Sequence, residues 1–411
     1  MKPTALIATT AQWYPTARLA LALVKAGFIV KAVCPSRHPV FKTKAVQERY
    51  RYHGLWPLTS VSGAIAEAKP DLIIPGDDLA THHLHRLYKR DLRKADSKSP
   101  LQSLIERSLG SAGSFEIAYS RLAFIDIARE EGIRAPETAS IKSIPELREW
   151  MARFGLPLVL KADGTNGGEG VRIVRTEKDA EHAFRTLQAP PLLARAAKRT
   201  LFDQDAALFR PAILREKFTI SAQKYINGTE GTSAVACWNG KVIASLHFEV
   251  VNKKHAAGHA TVVRVIDNPE MMATATKLAR RLNLSGLYGF DFMLEAGTRS
   301  ACLIEINPRA TQVGHLVLGA GRDIPAALFS AVSGQTLRVS TPMTEKDTIA
   351  LFPQEWLRDS ASPYLRSAFH DVPWEEPELI RECIQSRKGS NSRFAHRSSL
   401  ESLSAVGAPR L

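Results

Sequence analysis

Asp291, Glu305 and Asn307 lie in two short apolar runs, Gly289-Phe290-Asp291-Phe292-Met293-Leu294 and Cys302-Leu303-Ile304-Glu305-Ile306-Asn307, joined by a turn containing Gly297. If these runs pair as a hairpin centred near Thr298, Asp291 falls opposite Glu305. Strand alternation then places Asn307 on the same face as Glu305, while Ile304 and Ile306 take the other. Like charges set directly opposite each other destabilise an apolar hairpin. A hard divalent cation would offset them. Magnesium takes one or two protein carboxylates and completes its shell with water and phosphate oxygens. Arg309, two residues past Asn307, is placed to meet the same phosphates or a substrate anion. The alternative, a solvated polar face, fits poorly with such apolar flanks.

A second chemical signal is the segment Lys161-Ala162-Asp163-Gly164-Thr165-Asn166-Gly167-Gly168-Glu169-Gly170-Val171. It lacks the GK[ST] ending of a Walker loop, and it runs from strand to strand rather than from strand to helix. The tip of a long glycine-rich hairpin exposes backbone N–H groups that can form an anion nest over phosphates. Lys161 is the only charge in the run Pro157 to Lys161, so a phosphate is its natural partner. The bland alternative is a flexible hairpin with an edge lysine that discourages strand-to-strand aggregation.

The elements that must position these groups can be read in outline. The first hundred residues alternate strand and helix: Ala5 to Ala8, a helix from about Thr16 to Ala26 stopped by Gly27, Phe28 to Val33, a helix near Ser62 to Ala68, then Asp71 to Ile74. That order predicts a Rossmann-like parallel sheet with helices on its faces. The first turn, Thr9-Thr10-Ala11-Gln12-Trp13, has no GxGxxG glycines, which argues against a dinucleotide site. Gly76-Asp77-Asp78 ends the third strand where open α/β sheets bind ligands, with a helix N-cap at Asp78 as the competing reading.

A polar, serine-containing stretch from Arg93 to Gly113 reads as a separator. It is followed by an amphipathic helix, Ile117 to Glu130, and by strands Leu156 to Ala162 and Val171 to Val174 flanking the glycine loop. Between Thr176 and Phe218 the pattern is mixed, with a basic run at Arg195, Lys198 and Arg199. Further strands are expected at Ile220 to Ile226, Ser233 to Trp238, Val242 to Val250 and Thr261 to Val265, then a helix at Met271 to Leu282. Beyond Gln335 the chain is proline-spotted and weakly periodic.

Composition bounds the function. The 411 residues suggest two or three domains, and 45% hydrophobic with 23% charged residues is ordinary for a folded chain. No apolar run approaches the roughly 18 residues a membrane helix needs, and the N-terminus lacks the order of a signal peptide. Cys34, Cys237, Cys302 and Cys383 are scattered, so neither a zinc site nor a disulfide scaffold is expected, and a cytoplasmic protein is. The net charge of +14 invites an anionic partner without naming it. The stretch from Arg381 to Leu411 holds six basic and two acidic residues, so part of that excess sits in a tail. No nucleic-acid-binding motif is visible.

Taken together, the lysine with its glycine-rich hairpin, a later strand acid and Glu305-Ile306-Asn307-Pro308-Arg309 resemble an ATP-grasp ligase over about Ser114 to Ala327. The last motif is most like biotin carboxylase and carbamoyl-phosphate synthetase. The resemblance implies an N-terminal pre-ATP-grasp α/β domain over 1–113 and a two-lobed α+β ATP-grasp domain over 114–335, with a lid at about 135–222. A C-terminal extension over 336–411 would end in the basic tail. It also implies roles for particular residues. Arg121 and Lys161 would meet ATP phosphates under Gly167 and Gly168. The hinge Gln223-Lys224-Tyr225-Ile226 would read adenine through its main chain, and Glu230 would bind ribose. Asp291, Glu305 and Asn307 would hold magnesium (or manganese), and Arg309 would stabilise the reacting intermediate. Glutamate is usual where Gln223 stands.

The activity so implied is ATP-dependent, ADP-forming activation of a carboxylate as an acylphosphate, which an amine or similar nucleophile attacks. Partners would be small-molecule acids and amines, and a homodimer is compatible with this. Competing readings are a carboxylase or carbamoyl-forming subunit, and a basic nucleotide- or nucleic-acid-binding protein retaining the fold. Candidate substrate contacts after the metal strand are Arg309, Gln312, His315 and Arg322. His247, His255 and His259 lack metal spacing, and His82, His83 and His85 read as a solvated helix face.

Overall fold

The computed structural model describes residues 2–93, 97–162, 170–189, 218–256, 258–336 and 339–386. Gly167 and Gly168, the basic run at Arg195, Lys198 and Arg199, and most of the C-terminal tail lie outside the described residues.

The chain begins with the expected parallel sheet. Strands β1 (Thr4–Ala8), β2 (Ile29–Cys34), β3 (Glu48–Arg51) and β4 (Leu72–Pro75) are arranged β3-β2-β1-β4. The first helix, Tyr14–Ala26, has a proline in its first turn and ends on Gly27 at φ +119°, whose N–H bonds Leu23 and Val24 carbonyls. A Cβ at Gly27 would lie 2.8 Å from the Phe329 ring, so only glycine both ends this helix and lets it pack there. β3 carries no sequence signal because its four residues, Glu-Arg-Tyr-Arg, sit on the sheet edge, where charge is tolerated and deters pairing.

The stretch from Arg93 to Gly113 is not a plain separator. It contains the helix Pro100–Leu109, opened by a capping box between Ser99 and Gln102. Ser108 accepts the Ile73 N–H at 2.9 Å, and Ile105 and Leu109 are buried against β4's sheet. The serines that suggested a linker are cap and pairing residues.

Two further sheets follow. A four-stranded antiparallel sheet, ordered β5-β8-β6-β7, comprises β5 (Thr138–Ile141), β6 (Leu158–Ala162), β7 (Val171–Val174) and β8 (Ile220–Lys224). Helices Ile144–Phe154 and Glu177–Gln188 cover one face, burying Leu147, Met151, Ala183 and Phe184 against Leu158 and Leu160. Lys161 pairs with Val171, so the glycine loop does connect two antiparallel strands.

The largest sheet has seven strands in the order β13-β12-β9-β10-β11-β14-β15. Its members are β9 (Gly228–Trp238), β10 (Lys241–Lys253), β11 (Ala260–Val265), β12 (Gly286–Glu295), β13 (Ala301–Asn307), β14 (Thr348–Ala350) and β15 (Phe369–His370). One face buries Val235, Tyr288, Phe290 and Phe292 under helices Arg121–Glu130 and Pro269–Arg281. The other packs Ala234, Ala236, Leu246 and Phe248 against the first helix and the helix Ile324–Ser333. Weakly periodic residues beyond 336 therefore supply its last two strands.

The helix Asp78–Leu92 departs from expectation in two ways. Its N-cap is Asp77, not Asp78. Of its histidines only His82 is exposed: His83 is buried against the Tyr52 hydroxyl at 2.9 Å. His85 stacks on Phe115 with ring centroids 3.8 Å apart and meets the Tyr119 hydroxyl at 2.7 Å. Aromatic rings rather than water cover this face, and burial pushes the two imidazoles down to about 4 and about 3 respectively, so both are neutral.

Candidate active site

The hairpin of β12 and β13 pairs Asp291 with Glu305 and Gly289 with Asn307, the register expected from alternation. Asp291 is half-buried, and each of its oxygens accepts from a neutral donor. Thr232 Oγ1, directly across on β9, donates to Oδ1 at 2.9 Å, and Asn307 Nδ2 donates to Oδ2 at 2.8 Å. Loss of water, followed by repulsion from Glu305, pushes its carboxyl up to about 6. Gly289 makes room for this arrangement: a Cβ there would lie 2.4 Å from Thr311 Cγ2 and 3.3 Å from Asn307 Cβ.

Glu305 keeps its charge by a different route. Burial opposes ionisation, but Arg121 and Lys161 outweigh it and hold the carboxyl below the usual range. Arg121 Nη2 donates to Glu305 Oε1 at 3.1 Å from the first turn of its helix. Lys161 is only 5% exposed, and burial lowers its ammonium to about 8 against the pull of Glu305, Asp291 and Glu230. A lysine of the small sheet thus lies in the field of the acids of the large one, and Arg121 pairs with one of them.

The donor set near the hairpin is oxygen only: two carboxylates and the Asn307 amide. Among the described residues no group of three or more His, Cys, Asp or Glu converges. The raised proton affinity of Asp291, caused first by burial and then by Glu305, would be offset by a hard cation sharing its remaining positions with phosphate or water.

Arg309 follows from the same strand. Its Nη2 donates to Asn307 Oδ1 at 3.1 Å, its Nη1 to the Ala310 carbonyl at 3.2 Å and its Nε to Asp78 Oδ2 at 3.0 Å. Asp78 is a contact that residue types alone did not assign, although the strand-end position of Gly76-Asp77-Asp78 was its signal. The adjacent Asp77 is committed elsewhere. Its carboxylate accepts from Thr9 Oγ1, the Thr10 N–H and Oγ1, the Ala11 N–H and the Ala80 N–H. A protein carboxylate therefore fills the first turn, where a dinucleotide fold would hold phosphate.

At the link between the small and large sheets, the Lys224 N–H donates to the Glu137 carbonyl at 2.8 Å. Gln223 is buried and its amide donates to Thr138 Oγ1 at 3.1 Å. Lys224 is exposed, Tyr225 and Ile226 half-buried. Glu230 pairs with Lys253 at 2.6 Å. Three other candidates have protein partners of their own. Gln312 donates to the Ala260 carbonyl, Arg322 pairs with Asp267, and His315 meets Asp371 at 2.6 Å. Of the loop histidines, His247 is buried in β10 against Ser233 Oγ at 2.7 Å, while His255 and His259 are exposed.

Residues 121–313 match the family model of the ATP-grasp domain. This stretch is an ATP-grasp domain. The chain is 26% identical over 199 residues to a pyruvate carboxylase of Aspergillus terreus, covering 48% of the chain and 15% of that protein. It is 24% identical over 249 residues to the carbamoyl phosphate synthase large chain of Gemmatimonas aurantiaca, covering 58% of the chain and 20% of that protein. The chain therefore spans no more than a fifth of these relatives.

Among solved structures, it resembles the biotin carboxylase domain of the Hydrogenobacter thermophilus 2-oxoglutarate carboxylase, solved with MgADP, ADP and bicarbonate. The TM-score is 0.57 at 15% identity, over 83% of this chain and 72% of that one. The N5-carboxyaminoimidazole synthetase of Staphylococcus aureus with ADP gives 0.57 at 17%, over 83% and 80%. At these identities the likeness is one of fold.

Proposed function

We propose that the chain is an ATP- and magnesium-dependent ligase that activates a carboxylate as an acylphosphate for attack by an amine or similar nucleophile, forming a C–N bond and ADP. The observation that carries this reading is the pairing of Asp291 with Glu305 across the hairpin, with Arg121 on Glu305 at 3.1 Å and the buried Lys161 in the field of both acids. Arg121 pairs directly with Glu305, and the buried Lys161 ammonium is within the electrostatic reach of both acids, although the four come from separate segments.

Magnesium held by Asp291, Glu305 and Asn307 would neutralise charge developing between the phosphates. The protein's own groups do the rest. Lys161 and Arg121 offset phosphate charge, the main chain from Lys224 to Ile226 would read adenine, and Glu230 the ribose. Arg309 is placed to steady an oxyanion at the activated carbon. Phosphoryl transfer needs mainly positioning and electrostatics, so no protein nucleophile is required.

A second reading, with bicarbonate as the carboxylate, is favoured by the fold shared with a biotin carboxylase domain solved with bicarbonate. The deciding assay supplies magnesium, ATP and a panel of acids with and without amines, and measures ADP. Acid- and amine-dependent ADP that vanishes in Glu305→Ala supports the ligase. A response to bicarbonate alone supports the second reading. Full activity of Glu305→Ala would remove the metal assignment.

A further inference from the structure

Arg309 and Asp78 are 231 residues apart in sequence and meet at 3.0 Å, with side chains 22% and 28% exposed. Neither group is exhausted by the contact. Asp78 uses Oδ2 on Arg309, and among the described residues its Oδ1 has no donor. Arg309 uses one N–H each on Asp78, Asn307 and Ala310, leaving two of the five a guanidinium carries. The contrast with Asp77, whose carboxylate accepts five hydrogen bonds from the first turn and its own helix, shows that the spare capacity belongs to Asp78.

An opposite-charge pair at a substrate position selects by charge pattern. A lone anion such as bicarbonate feels Arg309 with its charge partly cancelled by the carboxylate beside it. A zwitterion suits both partners, with its carboxylate on the free guanidinium N–H groups and its ammonium on Asp78 Oδ1. In an α-amino acid the two charged groups share one carbon and stand roughly 3 Å apart, by ordinary bond lengths, close enough for one molecule to meet both members of a bonded ion pair.

We propose that the acid activated here is an α-amino acid, held by its carboxylate on Arg309 and its ammonium on Asp78. This rests on the ligase reading above. In the step implied, a carboxylate oxygen takes the γ-phosphoryl group as the bond to ADP breaks. A nucleophile's nitrogen then forms the C–N bond, the C–O bond to phosphate breaks, inorganic phosphate leaves and the nitrogen's surplus proton passes to solvent.

The test uses the full chain with magnesium, ATP and hydroxylamine, an uncharged nucleophile that traps any acylphosphate as a hydroxamate. The acids are the twenty protein amino acids in both hands, their analogues lacking the amino group, and bicarbonate. The expected result is hydroxamate and ADP from one or a few amino acids, with the desamino analogue poorer by about 10- to 100-fold, the worth of a hydrogen bond to a charged group. Asp78→Asn keeps an oxygen that can accept from Arg309 Nε but loses the charge that meets the ammonium, so it should erase that preference and raise the amino acid KM well beyond any change in the KM for ATP. Turnover of desamino acids or bicarbonate but of no amino acid, or an unchanged preference in Asp78→Asn, would overturn the inference and leave the ligase reading standing. No ADP from any acid would overturn the ligase reading itself. Should Asp78→Asn not fold, the wild-type ratio of amino acid to desamino analogue decides alone.

Discussion

Asp291 and Glu305 stand directly opposite each other on β12 and β13, yet their carboxyls are pushed in opposite directions, the first up to about 6 and the second below its usual range. The asymmetry comes from the cations. Arg121 and Lys161 serve Glu305, whereas Asp291 is met at hydrogen-bonding distance only by the neutral groups of Thr232 and Asn307. Glu305 is therefore paired directly with a cation, whereas Asp291 feels Arg309 and Lys161 only from beyond hydrogen-bonding distance and is the less compensated of the two.

Metal dependence should follow from that charge. Asp291→Asn should reduce ligase turnover by about 10²–10³-fold, the order seen when one preorganised electrostatic group is removed. Without magnesium the same change should leave the melting temperature unchanged or raise it, because the repulsion is gone. The sign with pH is fixed: the folded carboxyl binds its proton more tightly than the unfolded one, at about 6 against 3.8. Its contribution to stability is present below pH 4 and is lost as pH rises through 6. Thermal melts of both proteins from pH 4 to 7, with and without magnesium, would show the slope in wild type only, and magnesium should reverse it. A slope retained in Asp291→Asn would show that another group causes it.

The pH profile of kcat/KM for ATP should be bell-shaped, since it reports groups of the free enzyme. The acid limb belongs near 6, where Asp291 gains a proton and can no longer ligate. The alkaline limb belongs near 8, where burial makes Lys161 lose its proton and with it the charge that meets phosphate. Lys161→Arg should move only the alkaline limb, to beyond about pH 9, because a guanidinium stays charged. An alkaline limb unmoved by that substitution would assign it elsewhere.

Gly289→Ala tests the packing under the metal strand. The new Cβ would come 2.4 Å from Thr311 Cγ2, so the segment from Asn307 to Thr311 must shift. Overpacking of this kind costs roughly 1–3 kcal/mol. It should also raise the magnesium concentration needed for half-maximal activity. Thr311→Ser removes the clashing methyl, and the double variant should recover most of both losses. Calorimetric melts and magnesium titrations of the three variants would check the coupling.

The parts of this site that could be read from the residues are those where chemistry and periodicity coincide in one short stretch. Asp291, Glu305 and Asn307 interrupt apolar alternation at known spacing, so their register and shared face followed at once. Contacts assembled from distant segments left no such trace. Asp78 meets Arg309 only because β4 ends beside the turn after β13, where the Ala310 N–H bonds the Pro75 carbonyl. The serines of 99–108 and the histidines at 83 and 85 misled for one reason: polar types were read as solvent-facing, whereas caps and aromatic stacking bury them. β3 escaped notice because an edge strand needs no apolar face.

A buried trio far from any motif gives the largest expected stability effect. Asp371, just past β15, is engaged by Arg18 of the first helix and by His315 Nε2 at 2.6 Å, with side chains 1%, 9% and 5% exposed respectively. Burial raises the Asp371 carboxyl, but Arg18 and then His315 outweigh it and leave the group below its usual range. Asp371→Ala leaves Arg18 buried without a counter-charge, a loss of about 3–5 kcal/mol. Replacing Arg18 by methionine in the same chain removes the orphaned charge and should restore part of that loss. Because the folded carboxyl holds its proton less tightly than the unfolded one, the trio's stabilisation is present above the unfolded carboxylate range near pH 4. It disappears as pH falls through the lower folded value. Denaturant titrations of wild type, Asp371→Ala and the double variant at pH 7 and pH 4 would measure this. A single variant as stable as wild type at pH 7 would show that the trio contributes nothing to holding the C-terminal strands against the first helix.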